Sequence, residues 1–299
     1  MSIKSFKNKE TYLFYKITMG KSKKSRRNFR ENPSTSTSSN RGEHLQGDAR
    51  SILSDITSFE EKRRLKACRL LSTVYSINSH NVTALERLTS AEILSKLSMR
   101  LVDSSADVKY EAVGAVRNIA VARFPHICLK ILECGALDII ITLTAECLRQ
   151  GENPAMCNQL LSCLANLVSS HEDIAIKFSL QSASLIPSLL QIISRDTDEN
   201  VKLAAANLMC VASDNIDTVC EVIVGSQGIE ALLRCGLQPT VPATVVSASI
   251  GIKCLSVVVN VCSCCVTKAP AVLSGCMLTD IVAAVVGSLR ADSQVRTFP

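Results

Sequence analysis

The sequence predicts an all-α repeat solenoid, and three observations carry that prediction. The first is composition: of 299 residues none is Trp, aromatic residues make up 4%, and there are only 12 Gly and 8 Pro. A β-sandwich or barrel needs aromatic strands and frequent turn signals, so this chain is poorly equipped to form one. The second is the 47% hydrophobic content, which is enough to bury a large core. The third is that apolar helical stretches recur along the chain with one polar position returning at a near-constant interval, the mark of stacked repeats.

The elements follow in chain order. Residues 1–47 hold eleven Lys/Arg and three Glu, a balance of +8; the remaining 22 basic and 24 acidic residues give −2, which together recover the net +6. The basic character therefore belongs to a tail. With NPSTSTSSN following the basic run, the tail has no apolar means of folding and is predicted to be disordered. Lys21, Lys23, Lys24, Arg26, Arg27 and Arg30 are candidates for an importin-binding signal, or for an RNA contact through phosphate neutralisation. Residues 1–18 contain no apolar core of the length a secretory signal needs, and the lysines of residues 1–30 lie on no clear amphipathic face.

Residues 48–299 form the repeat array. The segments RLLSTVYSI (69–77), AVRNIAV (115–121), CLANLVSS (163–170), NLMCVASD (207–214) and VVVNVCSC (257–264) align Thr73, Asn118, Asn166, Cys210 and Asn260 in one column, at separations of 45, 48, 44 and 50. That spacing lies near the armadillo/HEAT period of about 40–47 residues. Each unit also supplies an upstream apolar helix: LERLTSAEILSKLSMRLV, ALDIIITLTAECLRQ, LIPSLLQIIS and GIEALLRCGL. Ser58 with Glu61, Ser104 with Asp107 and Ser170 with Asp173 have capping-box spacing. Gly135, Gly151 with Pro154, Pro187, Gly225 with Gly228, Pro239 with Pro242, and Pro270 are expected to break the helical runs. A helix pair cannot bury its apolar faces alone, so neighbouring pairs stack into a right-handed superhelix with an extended concave surface. About five units are expected. The last is incomplete, because LTDIVAAVVGSLRADSQVRTFP supplies no second helix to cover Ile281, Val285, Val286 and Leu289.

Other chemistries are disfavoured. The fourteen cysteines lie in the body among Leu, Val and Ala, as small buried apolar residues do in a reducing compartment. CSCC (Cys262, Cys264, Cys265) has neither a following histidine nor a paired CxxC to complete a zinc site. Val241 to Val266 is interrupted by Lys253 and Ala269 to Leu289 by Asp280, so both read as buried helices rather than membrane spans. His44, His80, His126 and His171 are dispersed, and no GxGxxG, GxxxxGK[ST] or HExxH motif is present. No catalytic residue, metal, cofactor or small-molecule substrate is expected.

Within the apolar stretch EAVGAVRNIA (111–120) stand Arg117 and Asn118, and an unpaired buried polar group costs about 1–3 kcal/mol. Glu111, Gly114 and Asn118 follow spacings of three and four and share one helix face, on which Gly114 is expected to leave room for a bound backbone and Glu111 to complement a basic cargo. Arg117 points about 100° away, toward an adjacent repeat or the groove's edge, where an acidic partner is expected. By analogy with armadillo arrays, whose groove asparagines hold an extended peptide's backbone, Glu111, Arg117, Asn118, Asn166 and Asn260 are the candidate cargo-binding residues. The competing reading makes the asparagines crosslinks between helices.

MGKSKKSRRNF at 19–29, a polar spacer, and an array containing AVGAVRNIAV resemble the N-terminal half of the symportin family, over residues 19–290 in organisation. The resemblance implies a cytoplasmic and nuclear shuttling adaptor. It would bind basic ribosomal proteins of the five-S particle as a chaperone and pass them to an importin, in support of large-subunit ribosome biogenesis. No Pro-Tyr dipeptide follows the basic run, and the family's acidic loop and C-terminal HEAT repeats are absent from this sequence. The armadillo-class nuclear-signal receptor is similar in fold, but it places Trp one turn before each groove asparagine. Here Gly114, Ser162 and Ser256 stand there, which disfavours a general lysine-signal receptor. The alternatives are a scaffold for another complex, or an RNA-associated assembly factor using the basic tail.

Overall fold

The computed structural model describes residues 41–264, apart from 79–80, 123, 152, 196–197 and 238–243. The tail candidates Lys21, Lys23, Lys24, Arg26, Arg27 and Arg30, together with Cys265 and the stretch holding Ile281, Val285, Val286 and Leu289, lie outside the described residues. All regular structure among the described residues is helical: α1 (Arg41–Ile56), α2 (Glu61–Ile77), α3 (Val82–Leu88), α4 (Ala91–Arg100), α5 (Ala106–Val121), α6 (Pro125–Glu133), α7 (Ala136–Gln150), α8 (Pro154–Val168), α9 (Glu172–Ser194), α10 (Glu199–Asn215), α11 (Asp217–Gly225), α12 (Gly228–Leu237) and α13 (Val245–Cys264).

Units of three helices replace the expected pairs. LERLTSAEILSKLSMRLV breaks at Thr89 and Ser90, because the Ser90 hydroxyl accepts the Ile93 N–H and starts α4 afresh. A short α3, α6 or α11 thus precedes α4, α7 or α12, and the long α5, α8 or α13 closes the unit. One unit departs from this pattern. Pro187, expected to break its helix, sits inside the 23-residue α9 with its ring at the solvent side, so the first two helices of that unit run as one.

Local signals fix the remaining boundaries. Gly135 and Gly151 flank α7 at φ 74° and 69°, left-handed values that cost glycine no Cβ clash. The caps fall one residue later than the sequence predicts. Ser105, not Ser104, accepts the Val108 N–H at 3.4 Å, and the His171 ring nitrogen Nδ1, not Ser170, accepts the Asp173 N–H at 3.1 Å. Ser58 accepts the Glu60 N–H at 3.1 Å and so organises the turn before α2, while Glu60 holds the cap position.

The closing helices stack on one another in the order α2, α5, α8, α10, α13, and α7, α9 and α12 form a second layer behind them. The core lies between the layers, with Leu71, Ile119, Leu164, Leu208 and Val257 all essentially excluded from water. By length and composition α9 and α13 could each cross a membrane; both instead pack lengthwise against neighbouring helices, α9 on α12 and α13 on α10.

One ionic node ties the first repeats together. Arg64 donates from Nε and Nη2 to the two Asp103 oxygens at 2.8 and 2.9 Å, and from Nη1 to the carbonyls of Ser58 and Phe59 at 3.2 and 2.7 Å. Asp103 also accepts from Arg100 at 2.8 Å and from the Ser105 N–H at 3.0 Å. Burial alone would raise the Asp103 pKa, but the Arg64 fork, the Ser105 amide and the charge of Arg100 together hold it below the usual carboxylate value. Such a pair is costly to break, because the surviving charge stays buried without its partner.

Asp103→Asn should therefore destabilise the fold by about 3–5 kcal/mol at neutral pH. Since the folded-state pKa of Asp103 is depressed, its contribution is complete above the ordinary carboxylate value near pH 4 and fades as the pH falls through the lower folded value. Urea titrations should show a gap between parent and variant that is full at neutral pH and closes on acidification. A gap unchanged by acidification would contradict this assignment.

Candidate functional site

The seam between consecutive closing helices gathers most of the polar residues singled out in the sequence. Thr73, Asn118 and Asn166 each lie thirteen residues after the cap of their helix, Glu60, Ser105 and Asn153. Cys210 lies twelve after Asp198, level with Ser72 rather than with Thr73. The column aligned from sequence is thus one residue out of step at α10.

Asn118 turns along the stack. Its Nδ2 donates to the Ser72 carbonyl at 2.8 Å and to the Ser72 hydroxyl at 3.1 Å, both on α2. Asn260 repeats the arrangement at the other end, donating to the Cys210 carbonyl at 3.2 Å and the Ser213 hydroxyl at 3.1 Å on α10. Both amides act between repeats. The carbonyl of a helix has a second lone pair after its backbone bond, so a neighbouring amide can use it without breaking the helix. Asn166 differs. It is 9% exposed, and its side-chain amide makes no hydrogen bond among the described residues.

Arg117 meets a neutral partner where an acidic one was expected. Its Nη1 donates to Gln159 Oε1 at 2.5 Å, and Nη2 lies 3.4 Å from Asn118 Oδ1. Gln159 also reaches the Tyr110 carbonyl from Nε2 at 3.5 Å. The room beside Gly114 is what admits it: a Cβ at Gly114 would stand 2.6 Å from Gln159 Nε2 and 3.4 Å from Ser72 Oγ. That space belongs to the helix–helix seam and is already filled. Glu111 faces α2, where Arg69 Nε donates to it at 3.0 Å.

Gln159, Ser72 and Arg69 are the site residues that the sequence reading missed. A signal for Gln159 existed, since it lies six residues after its cap Asn153, as Glu111 does after Ser105. The partners Ser72 and Arg69 depend on how helices stack and have no local mark. The closing helices α2, α5 and α13 present Leu70, Thr73, Tyr110, Val121, Ile252 and Val259 to solvent, side chains of aliphatic, aromatic and hydroxyl character. Among the described residues no group of three or more metal-ligating side chains comes together.

Comparison with solved structures places the fold. The chain is similar to a computationally designed armadillo repeat protein for modular peptide recognition, with a TM-score of 0.57 and 18% identity over 70% of this chain and 80% of that one. It is also similar to a designed armadillo repeat protein in complex with the peptide (KR)4, with a TM-score of 0.59 and 18% identity over 82% and 90% of the two chains. An engineered protein solved by a structural genomics consortium aligns with a TM-score of 0.60 and 17% identity over 81% and 97%. At these identities the likeness is one of fold, and it makes the chain an all-α solenoid of armadillo type. No protein-family model matches the sequence, and no curated protein matches it significantly.

The two kinds of asparagine should separate on mutation. Asn118→Ala and Asn260→Ala should each lower stability by about 1 kcal/mol through the lost inter-repeat bond, while Asn166→Ala should stay within about 0.5 kcal/mol of the parent. Gly114→Ala should cost about 1–3 kcal/mol, because the new methyl displaces Gln159 from Arg117. Denaturant midpoints at constant slope check all four; equal losses for the three asparagine variants would contradict the division.

Proposed function

We propose that this chain is a non-enzymatic adaptor whose closing-helix row holds an extended segment of a protein partner. The observation that carries this reading is Asn166 on α8, between α5 and α10 in the stack, whose side-chain amide makes no hydrogen bond among the described residues. An amide offers both a donor and an acceptor, the complement of a peptide backbone. The exposed aliphatic and hydroxyl side chains on α2, α5 and α13 supply surface for alternate side chains of such a segment. Asn118 and Asn260 keep the row in register while their Nδ2 groups serve the neighbouring helix.

Within that reading the partner we favour is a ribosomal protein of the five-S particle, passed to an importin by a chain that shuttles between cytoplasm and nucleus. The MGKSKKSRRNF segment and the AVGAVRNIAV helix support it by their resemblance to the symportin family. Glu111 is already paired with Arg69, so a basic cargo would be held chiefly by amide hydrogen bonds and apolar contact. The basic tail, through Lys21, Lys23, Lys24, Arg26, Arg27 and Arg30, would supply the importin signal.

Affinity capture with the full chain tests both levels. Ribosomal proteins and an importin are expected in the eluate. Asn166→Ala is expected to reduce cargo capture about fivefold, the equivalent of one net hydrogen bond, with unchanged thermal stability. Replacing Lys23, Lys24, Arg26 and Arg27 with Ala is expected to lower importin capture and nuclear accumulation at constant helical content. Full capture by Asn166→Ala would refute the docking row, whereas recovery of a different complex that is lost with Asn166→Ala would refute only the ribosomal cargo.

A further inference from the structure

Among the described residues the arginines drawn out of water are Arg64, Arg100 and Arg117. The first two share the Asp103 carboxylate. Arg117 meets only the neutral oxygens of Gln159 and Asn118. A guanidinium has five N–H donors, and these two contacts leave its Nε hydrogen and part of each Nη group unused. A charge taken partly out of water without a counter-ion is costly, yet the buried Gln159 holds this one in place. Gln159 lies seven residues before Asn166 on α8, so the two share a face of that helix about 10 Å apart, with Ser162 between them half open to water. The guanidinium that rests on Gln159 and the amide of Asn166 are therefore separated by about three residues of extended chain.

We infer that the segment held by the closing-helix row carries an acidic side chain whose carboxylate pairs with Arg117 while its backbone meets Asn166. This rests on the docking reading of the row and adds the chemistry of the docked segment, which that reading leaves open. A carboxylate fits the fork, since its two oxygens can accept from Nε and one Nη in a planar, bidentate arrangement. Asp103 takes Nε and Nη2 of Arg64 in this way elsewhere in the chain. The bond to Gln159 fixes the guanidinium before any partner arrives, so less side-chain freedom is lost on binding. Glu111, one and a half turns back on α5, does not compete for it, because Arg69 of α2 holds that carboxylate. A half-buried pair is also screened less by salt than a pair on the open surface. The requirement is local: it concerns one residue of the segment and sets no condition on the net charge of the partner.

The test pans the full chain against a phage-displayed library of random peptides and measures the recovered peptides in solution. They are expected to share one Asp or Glu, and changing it to Asn or Gln should weaken binding about tenfold, the order of a hydrogen bond to a charged group. On Arg117→Gln the same change should make no difference, and Arg117→Lys, which keeps the charge without the fork, should recover only part of the affinity. Circular dichroism checks that both variants stay folded. Peptides without a shared acidic residue would overturn the proposal, as would an acidic residue whose loss costs as much on Arg117→Gln as on the parent. Asn166→Ala separates the two readings. Peptides weakened by Asn166→Ala but indifferent to Arg117→Gln would keep the docking row and refute the acidic contact, whereas peptides coupled to Arg117 and indifferent to Asn166→Ala would refute only the backbone contact at Asn166. A library that yields no binder to the folded chain would overturn both. Binding of a labelled oligouridylate that Arg117→Gln abolishes would assign the cation to an RNA phosphate and overturn the proposal as well.

Discussion

Stacking one closing helix on the next brings polar side chains into a seam where little water can reach them, and the rest of the molecule depends on how that seam is satisfied. Asn118 and Asn260 answer it alike, each donating to a carbonyl and a hydroxyl on the preceding closing helix. Arg117 and Gln159 answer it between α5 and α8, in the space that Gly114 leaves. Apolar burial drives the layers together but does not fix how far one helix slides along another. A hydrogen bond to a particular carbonyl does, because a shift of one residue leaves a buried amide unpaired. The seam thereby sets the register in which the exposed residues of successive repeats line up.

Ionic contacts reinforce the same end of the stack. The Arg64–Asp103 fork sits at the start of α2 and before α5, and Arg69 to Glu111 spans those helices further along. The first is buried and strong only as a pair, whereas the second is half exposed and worth little by itself. Beyond α5 the described contacts along the seam include the Arg117 guanidinium on Gln159 and the Asn260 amide on Cys210 and Ser213.

The fold class was legible in the sequence because it is written in periodicity: the recurring polar column, the apolar helices ALDIIITLTAECLRQ and GIEALLRCGL, and the glycines around α7 all mark real elements. Boundaries were less legible where neighbouring residues offer the same chemistry. Ser104 and Ser105 carry the same hydroxyl, and only backbone geometry chooses between them. His171 as a cap escaped notice because imidazole is an uncommon cap, and Pro187 misled because an exposed proline ring can ride on a helix held by its neighbours on both sides. The candidate site was legible as a set of residue types but not as a set of contacts. Asn118 and Asn166 share an alignment position and differ in what they bind, since that depends on the carbonyl the preceding helix presents.

The central claim is that the asparagines of one column are of two kinds, two bonded into the seam and one whose side-chain amide has no hydrogen bond among the described residues. Solvent exchange of the side-chain amide protons, followed by nuclear magnetic resonance on the asparagine-labelled full chain, tests it most directly. The account predicts slow exchange for the Nδ2 protons of Asn118 and Asn260 and fast exchange for those of Asn166. Equal exchange at all three, or protection of Asn166 in the unliganded protein, would contradict it.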